Sequence, residues 1–504
     1  MEGHRTLTRR EFAGPFLVGM TAKAERRIEG QFVNDGFPLG HKIRDHIPFA
    51  APKQTRKIPL VIVGGGCGGL SAGWRLGKKG FHDFVLLEME PQAGGNARWG
   101  ENDVSRYPWA AHYLPVPNKE STLVHELCEE LGMIEEGKWN ERYLCFSQQE
   151  RMYMNHRWQD GFEPEVGATQ RDRDQYKRFG DRMREFRATG QFTKPIDVGA
   201  KPSPLDSMNF EDWMKQEGFD SELLRWYASY STRDDYGAMA RDTSAWAGIH
   251  EFASRDPEDR GPLTWPEGNG WIASRLIEKL KPHIQKSSPV YAIRKNGSGW
   301  RVMTETVEYL TEAVIFAAPT FTAPYVIEGA PAATGFVYSP WLTANLTLDH
   351  WPEGEGFAWD NVIFDSPSLG YVVATHMSLA TYQPRTVWTY YWALADRSPQ
   401  VWRKALLESD WNYWKEEILN DLSRAHPDIR SCVSHIDIMR LGHAMARPVP
   451  GFLGSEVRKK FARGEPNLFY ANSDLSGLSI FEEAQYRGVT AADRALGRLG
   501  QWHK

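Results

Sequence analysis

Four glycines and one acid carry the first chemistry in this chain. Gly64, Gly66, Gly68 and Gly69 belong to the run Gly64-Gly65-Gly66-Cys67-Gly68-Gly69, and Glu88 lies 19 positions beyond Gly69. Residues of those types at that spacing are suited to holding a dinucleotide. Gly64 permits a tight turn, Gly66 lets the backbone approach a pyrophosphate, and Gly69 lets a helix pack closely on its strand. The helix that follows offers unpaired N–H groups and the positive end of its dipole to phosphate oxygens. Glu88 falls where a carboxylate accepts hydrogen bonds from an adenosine ribose. Three elements must position these groups: an apolar strand over residues 58–63, a helix reaching Gly80, and a second apolar strand over 84–87 that ends on the acid. Their joint occurrence separates this loop from a purely structural glycine turn.

Past Glu88 comes Met89-Glu90-Pro91-Gln92-Ala93-Gly94-Gly95-Asn96-Ala97-Arg98-Trp99. This second glycine pair resembles the signature of the flavin amine oxidase superfamily. The resemblance implies FAD as the cofactor, with amides of the second turn adding to the pyrophosphate site. Asn96 stands where the family usually has arginine, and Arg98 follows two residues later. A polar asparagine with a displaced arginine could do the same work, and either could face the phosphates.

Three later segments extend the resemblance. Leu263-Thr264-Trp265-Pro266-Glu267-Gly268-Asn269-Gly270-Trp271 and the helical pattern over 272–280 resemble the family's Pro-x-Gly-Gly turn and helix. Residues 289–293, 299–303 and 313–319 resemble its three-stranded return, which implies a backbone contact from Val290 to the adenine. Residues 467–474 form a buried-type strand ending on Asp474, followed by an alanine-rich helix. This is similar to the family's last FAD motif. It implies that Asp474 binds the ribitol or pyrophosphate and that amides of Ser479, Ile480 and Phe481 face the pyrimidine edge of the flavin. A helix N-terminus there stabilises the negative charge that develops on flavin reduction.

The implied fold is α/β: a glutathione-reductase-like Rossmann domain for FAD/NAD(P), with an interleaved α+β substrate-binding domain. Residues 58–115, 261–320 and 460–500 are assigned to the FAD domain, and 116–260 with 321–459 to the substrate domain. In the first insertion, 120–131 and 171–189 read as helices; in the second, 341–348, 370–375 and 386–393 read as strands and 402–425 as an amphipathic helix.

Composition narrows the function class. With 60 basic and 65 acidic residues the net charge is −5, and no basic stripe appears, which argues against a nucleic-acid partner. The longest apolar runs have strand length, well short of the roughly 18 residues of a transmembrane segment, so a soluble protein is expected. Four scattered cysteines make neither a disulfide framework nor a zinc spacing, and Cys67 reads as packing. No metal site is expected, and noncovalent FAD is assumed. Residues 1–57 are set apart as a leader-like segment and arm. Thr8-Arg9-Arg10-Glu11-Phe12 and the apolar residues 13–20 resemble a twin-arginine export leader, which implies a periplasmic location. The alternative is a basic arm on a cytoplasmic enzyme. Residues 29–49, with Gly40-His41-Lys42-Ile43-Arg44-Asp45, resemble the arm that precedes the FAD domain in bacterial spermidine dehydrogenase-like proteins and hint at a polyamine.

With one nucleotide loop and no second site for NAD(P)H, the organic substrate is the expected electron source. A hydride would pass from a C–H bond to flavin N5, and an amine substrate must be neutral for this, a state favoured in a closed aromatic pocket. The chain has 20 Trp, 19 Tyr and 24 Phe to build one. By the resemblance, Tyr107-Pro108-Trp109-Ala110-Ala111-His112-Tyr113 runs past the flavin ring, making His112 and Tyr113 the candidate residues near N5. His112 could act as a base, bind a water, or be a satisfied core histidine. Asp360 could attract a second ammonium or cap a loop. The family's flavin-side lysine has no counterpart, because no lysine occurs between Lys295 and Lys404; this favours a dehydrogenase over an oxidase. The function expected is FAD-dependent dehydrogenation of an amine, polyamines included. A polyene desaturase or isomerase of the same superfamily and a non-catalytic flavoprotein are the alternatives.

Overall fold

The structure, a computed structural model, describes residues 27–33, 36–255, 261–354 and 356–500. The export-leader motif at residues 8–12 lies outside the described residues.

Strand Leu60–Val63 is apolar at every position because both of its faces are covered. It pairs in parallel with Phe84–Leu87 and Ala313–Phe316, and Ile284–Gln285 and Leu468–Tyr470 complete a five-stranded parallel sheet. Alternation along the strands sorts their side chains between two layers. Leu60, Ile62, Leu86 and Ile315 pack with residues of the helices Cys67–Lys78, Gly270–Leu280 and Phe481–Arg498. Val61, Val63, Val85, Leu87, Val314 and Phe316 meet Ile293, Trp300, Val302 and Tyr309 of a second, four-stranded sheet. That sheet is Ala292–Asn296, Gly299–Met303, Val307–Thr311 and Gln54–Lys57. The three-stranded return therefore differs from expectation: Val307–Thr311 is its third strand, and Ala313–Phe316 enters the parallel sheet, where a short run buried at every position belongs.

The two insertions build an eight-stranded mixed sheet. Its order is Glu29–Val33, Val433–Arg447, Val337–Leu348, Thr386–Ala393, Gly370–Val373, Asp360–Ile363, Glu150–Met154 and Arg157–Asp160. One face, with Leu342, Leu346, Tyr371, Trp388 and Tyr390, is covered by Trp402, Leu406, Trp414 and Ile418 of two helices. The helix expected over 402–425 is in fact these two, Pro399–Glu408 and Trp411–Leu422. Ser409 is extended, and Asp410 restarts the helix by accepting a hydrogen bond from the Tyr413 amide at 2.8 Å.

The segment set apart as an N-terminal arm contributes to both halves: Glu29–Val33 lies parallel to Val433–Arg447, and Gln54–Lys57 pairs with Val307–Thr311. Helix Thr122–Glu130 lies within the first insertion but packs Val124 and Leu127 with the helices of the parallel sheet. Among the described residues no helix is long and apolar enough to cross a membrane.

Candidate active site

The glycine run closes the first strand as its spacing requires. Gly64 has φ +103°, and a Cβ on it would lie 2.8 Å from the Ala318 amide nitrogen. A Cβ on Gly69 would stand 1.9 Å from the Gly64 carbonyl oxygen, so only glycine lets the helix start this close to the turn. Gly66 is different. It is the N-cap of helix Cys67–Lys78, makes no side-chain cap, and a Cβ on it would meet nothing nearer than the Gly95 Cα at 3.8 Å. Gly66 bridges Gly94, and the Gly94 amide donates to the Gly65 carbonyl at 2.8 Å. Two glycine turns thus meet beside a helix N-terminus that no side chain caps, a crevice that fits a pyrophosphate. Gly68 plays another part: a Cβ there would lie 2.1 Å from the Ala471 carbonyl oxygen, so this glycine admits the last strand rather than lining the crevice.

Glu88 is buried at the end of Phe84–Leu87 and accepts from the amides of Gly65 at 2.7 Å and Glu90 at 2.8 Å. Burial pushes its carboxyl up, against the pull of these two amides. The Ser288 amide donates to the Glu88 carbonyl at 2.8 Å, which brings the chain leading to buried Val290 alongside. Asn96 turns away from the crevice and donates to the Ala444 carbonyl at 2.8 Å. Arg98 folds back: its Nε donates to the Gly95 carbonyl at 3.0 Å, and its guanidinium lies 4.0 Å from Glu90. Of the two, Arg98 is the one packed on the second glycine turn.

Asp474 is buried just past Leu468–Tyr470 and accepts from the Thr320 amide at 2.8 Å and the Tyr338 hydroxyl at 2.6 Å. Helix Phe481–Arg498 starts at Ile480 without a side-chain cap, and Ser479 Oγ accepts from the Ala446 amide at 3.0 Å. Two buried acids, Glu482 and Glu483, occupy its first turn, and burial pushes both carboxyls up. Arg487 on the same helix opposes the charge of Glu483, so the dipole at this end is not simply cancelled. Burial pushes the Cys67 thiol up to about 12, in keeping with a packing role.

Residues 108–113 lie between the two halves. The Trp109 amide donates to the Arg98 carbonyl, the Ala111 amide to the Asn96 carbonyl, and the Asn269 amide to the Ala111 carbonyl. Beyond them, the His112 ring sits 4.5 Å from Tyr391, 5.6 Å from Trp359 and 4.9 Å from Tyr113, centroid to centroid. His112 Nδ1 is 3.3 Å from the Ala110 carbonyl, and burial pulls the imidazole down to about 4. The ring is neutral at physiological pH.

These rings border a cluster whose inner members His112, Tyr113, Phe162 and Trp226 are only half-buried although they lie between the two halves, and this internal space is a chamber. Its floor is the second face of the eight-stranded sheet, with Met152, Val362, Val372, Tyr391 and Trp341. Thr343 stands in register between Tyr391 and Met439 on that face, and Asn345 Nδ2 reaches the Pro108 carbonyl at 3.1 Å. Trp341, Thr343 and Asn345 therefore occupy the strand face on which the family's lysine was sought, and none of them is cationic. Helix Glu222–Tyr236 supplies a wall through Trp226 and Tyr230.

Sequence reasoning missed Asp234, on that helix, together with Thr343 and Tyr391. Asp234 reads in the sequence as one more charge in Arg233-Asp234-Asp235, and only its i,i+4 relation to Tyr230 hints at an inward face. Burial is the main cause that raises the carboxyls of Asp234, to about 7, and of Asp360, well above the usual range. Both side chains nevertheless keep partial exposure, as groups lining an internal chamber do.

Comparison with known proteins agrees with this geometry. Residues 62–131 match the model of the NAD(P)-binding Rossmann-like domain. The 15-cis-phytoene desaturase of Solanum lycopersicum is 33% identical over 101 residues, 19% of this chain and 16% of that protein. The chain thus spans about a sixth of the length of this curated relative. Two solved structures match far more of it. Putrescine oxidase bound to putrescine superposes with a TM-score of 0.68 at 16% identity, covering 88% of this chain and 100% of that one. Cyclohexylamine oxidase from Brevibacterium oxydans gives 0.67 at 13% identity, with coverage of 88% and 100%. The chain has the fold of the FAD-dependent amine oxidases, a Rossmann-like dinucleotide domain joined to a mixed-sheet domain.

Proposed function

We propose that this protein is an FAD-dependent oxidoreductase that dehydrogenates an amine to an imine, which water then hydrolyses. The observation that carries this reading is the chamber: aromatic rings and two carboxyl groups, Asp234 and Asp360, neither in a salt bridge among the described residues, gathered where residues 108–113 leave the glycine crevice. FAD, when bound, supplies a two-electron acceptor for the C–H bond beside the nitrogen. Gly66, Gly94, Gly95 and Arg98 would hold its pyrophosphate, Glu88 its ribose, Val290 its adenine, and Asp474 with the amides of Ser479, Ile480 and Phe481 its far end. His112 and Tyr113 would orient the substrate beside the ring, and Trp359 and Tyr391 would exclude water. The carboxylates attract an ammonium from solvent, while the rings favour its neutral form, the form that can react.

The phytoene desaturase match covers only the segment around the glycine loops. Carboxylates in the chamber oppose a polyene substrate, because each must be desolvated against hydrocarbon with no return. Anaerobic mixing of the purified yellow protein with a panel of amines tests the proposal. Bleaching of the flavin band supports it, and an unchanged spectrum with every amine removes it. We further propose a dehydrogenase rather than an oxidase, on the strength of Thr343 and Asn345 standing where a lysine was sought; oxygen uptake slow against an artificial acceptor supports this. Export by the Arg9-Arg10 leader completes the proposal, and unchanged fractionation of the Arg9→Lys, Arg10→Lys protein would remove that part.

A further inference from the structure

Asp360 opens the strand Asp360–Ile363 and stands in register with Val372 on one neighbour and Glu150 on the other. Alternation places Asp360 with Val362 and Val372 on the chamber face, and Asn361 with Tyr371 on the opposite one. Asp234 comes from the facing wall, one turn beyond Tyr230, which packs with Trp359 and Tyr391. The charge of Asp234 helps raise the Asp360 carboxyl, after burial, and neither acid is in a salt bridge among the described residues.

The nearby cations are committed elsewhere. Arg255 pairs with Glu251, and Arg233 donates to the carbonyls of Ser366 and Pro367. A second, independent feature lies in the same place. The Tyr391 hydroxyl is buried, has no hydrogen-bond partner among the described residues, and lies in the fields of Asp360 and Asp234. A phenol without a partner, beside two acids without a salt bridge, is an incomplete site, because the buried hydroxyl forfeits hydrogen bonds it would make in water.

We propose that Asp234, Asp360 and Tyr391 form a subsite for a cationic group of the substrate other than the nitrogen that is oxidised, so that the substrate is a diamine or a longer polyamine. This rests on the amine reading above. A single ammonium must enter the chamber and lose its charge to react, which leaves both acids without a counter-ion. A second ammonium, held at the acids while the first reacts, supplies that counter-ion throughout. It also completes the hydrogen bonding of the phenol, which can accept from it or turn its proton to a carboxylate.

The test uses the FAD-loaded full chain under anaerobic conditions. α,ω-Diaminoalkanes of three to six carbons and spermidine are each compared with the n-alkylamine of matching length, in the wild type and in Asp234→Asn, Asp360→Asn and Asp360→Glu. For wild type the best dication is expected to half-saturate flavin reduction at a concentration at least about tenfold lower than its monoamine. Each asparagine variant should cut that preference about tenfold, Asp360→Glu should retain part of it, and the flavin spectrum of each variant reports that its cofactor site is intact. Equal half-saturation by dications and monoamines in the wild type, or a preference unaltered in both asparagine variants, overturns the subsite and leaves the amine reading standing. No bleaching by any amine removes both.

Discussion

The Glu88 carboxylate accepts a hydrogen bond from the Gly65 amide at 2.7 Å, across 23 residues of sequence. Its other oxygen takes the Glu90 amide, so one side chain fixes the end of its own strand and the shape of the glycine turn together. Glu88→Gln retains the size but offers an NH2 group to one of two amide donors. The lost acceptor costs about 1–3 kcal/mol at a buried amide, and FAD affinity is expected to fall about tenfold or more while the protein still folds. Titration of apoprotein with FAD, followed by quenching of flavin fluorescence, measures it. Unaltered affinity would remove Glu88 from the cofactor site.

Two glycines, one on each of the packed helices Phe481–Arg498 and Cys67–Lys78, should answer to alanine with opposite signs. A Cβ on Gly488 of the last helix would lie 2.1 Å from the Gly68 carbonyl oxygen and 3.1 Å from the Ala72 amide nitrogen. Backbone atoms cannot swing aside, so Gly488→Ala must push this helix away from Phe481–Arg498, at a cost of about 2 kcal/mol or more. Gly77 sits near the other end of the first helix, where a Cβ would meet nothing within 4 Å. There alanine should stabilise by roughly 0.5–1 kcal/mol by restricting the unfolded chain. Thermal unfolding of the two variants distinguishes them, and FAD retention should fall only for Gly488→Ala.

The parts of this molecule that were legible in the sequence are those whose signal is local. Leu60–Val63, the turn at Gly64 and helix Cys67–Lys78 follow one another within 19 residues, and each needs only its neighbours to be recognised. The eight-stranded sheet was legible only piecewise. Val433–Arg447 mixes charged and apolar residues because its middle, residues 440–445, is only partly covered, and Glu29–Val33 joins it from some 400 residues away through pairing no local pattern announces. The site divides in the same way. His112 and Tyr113 could be placed by their distance from the second glycine pair. Asp234 could not, since its significance arises only when a helix wall meets a sheet floor.

His112 is held neutral by burial, which pulls it down to about 4. Protonation would have to be imposed on the folded state, so any stability this group contributes is present above the unfolded value near 6.5 and is lost as pH falls from there through about 4. At working pH the ring can position substrate or accept a proton, but it has no charge to lose. His112→Gln should therefore lower the limiting rate of flavin reduction several-fold without removing any step between about pH 6 and 8 from its pH profile. Disappearance of such a step in the variant would show that His112 titrates in the active range.

Asp234 gives the opposite pH signature. Its carboxyl rises from 3.8 to about 7, through burial first and the charge of Glu251 second, with Glu150 adding to the rise and Arg255 and Arg233 opposing it. Between those two values the folded state binds more protons than the unfolded one, so stability falls as pH rises from about 4 to about 7 and then levels off. Asp234→Asn abolishes this ionisation. The FAD-loaded variant should unfold at nearly the wild-type temperature at pH 5 and at a higher one at pH 8. The gain is on the order of 1 kcal/mol once the chamber's partial solvation is allowed for. Parallel pH curves for the two proteins would mean that Asp234 ionises normally and is not confined. A variant that is more stable at pH 8 yet loses its preference for dications would place the repulsion in the empty chamber and its relief in the bound cation, the exchange of stability for recognition expected where an acid is kept for its ligand.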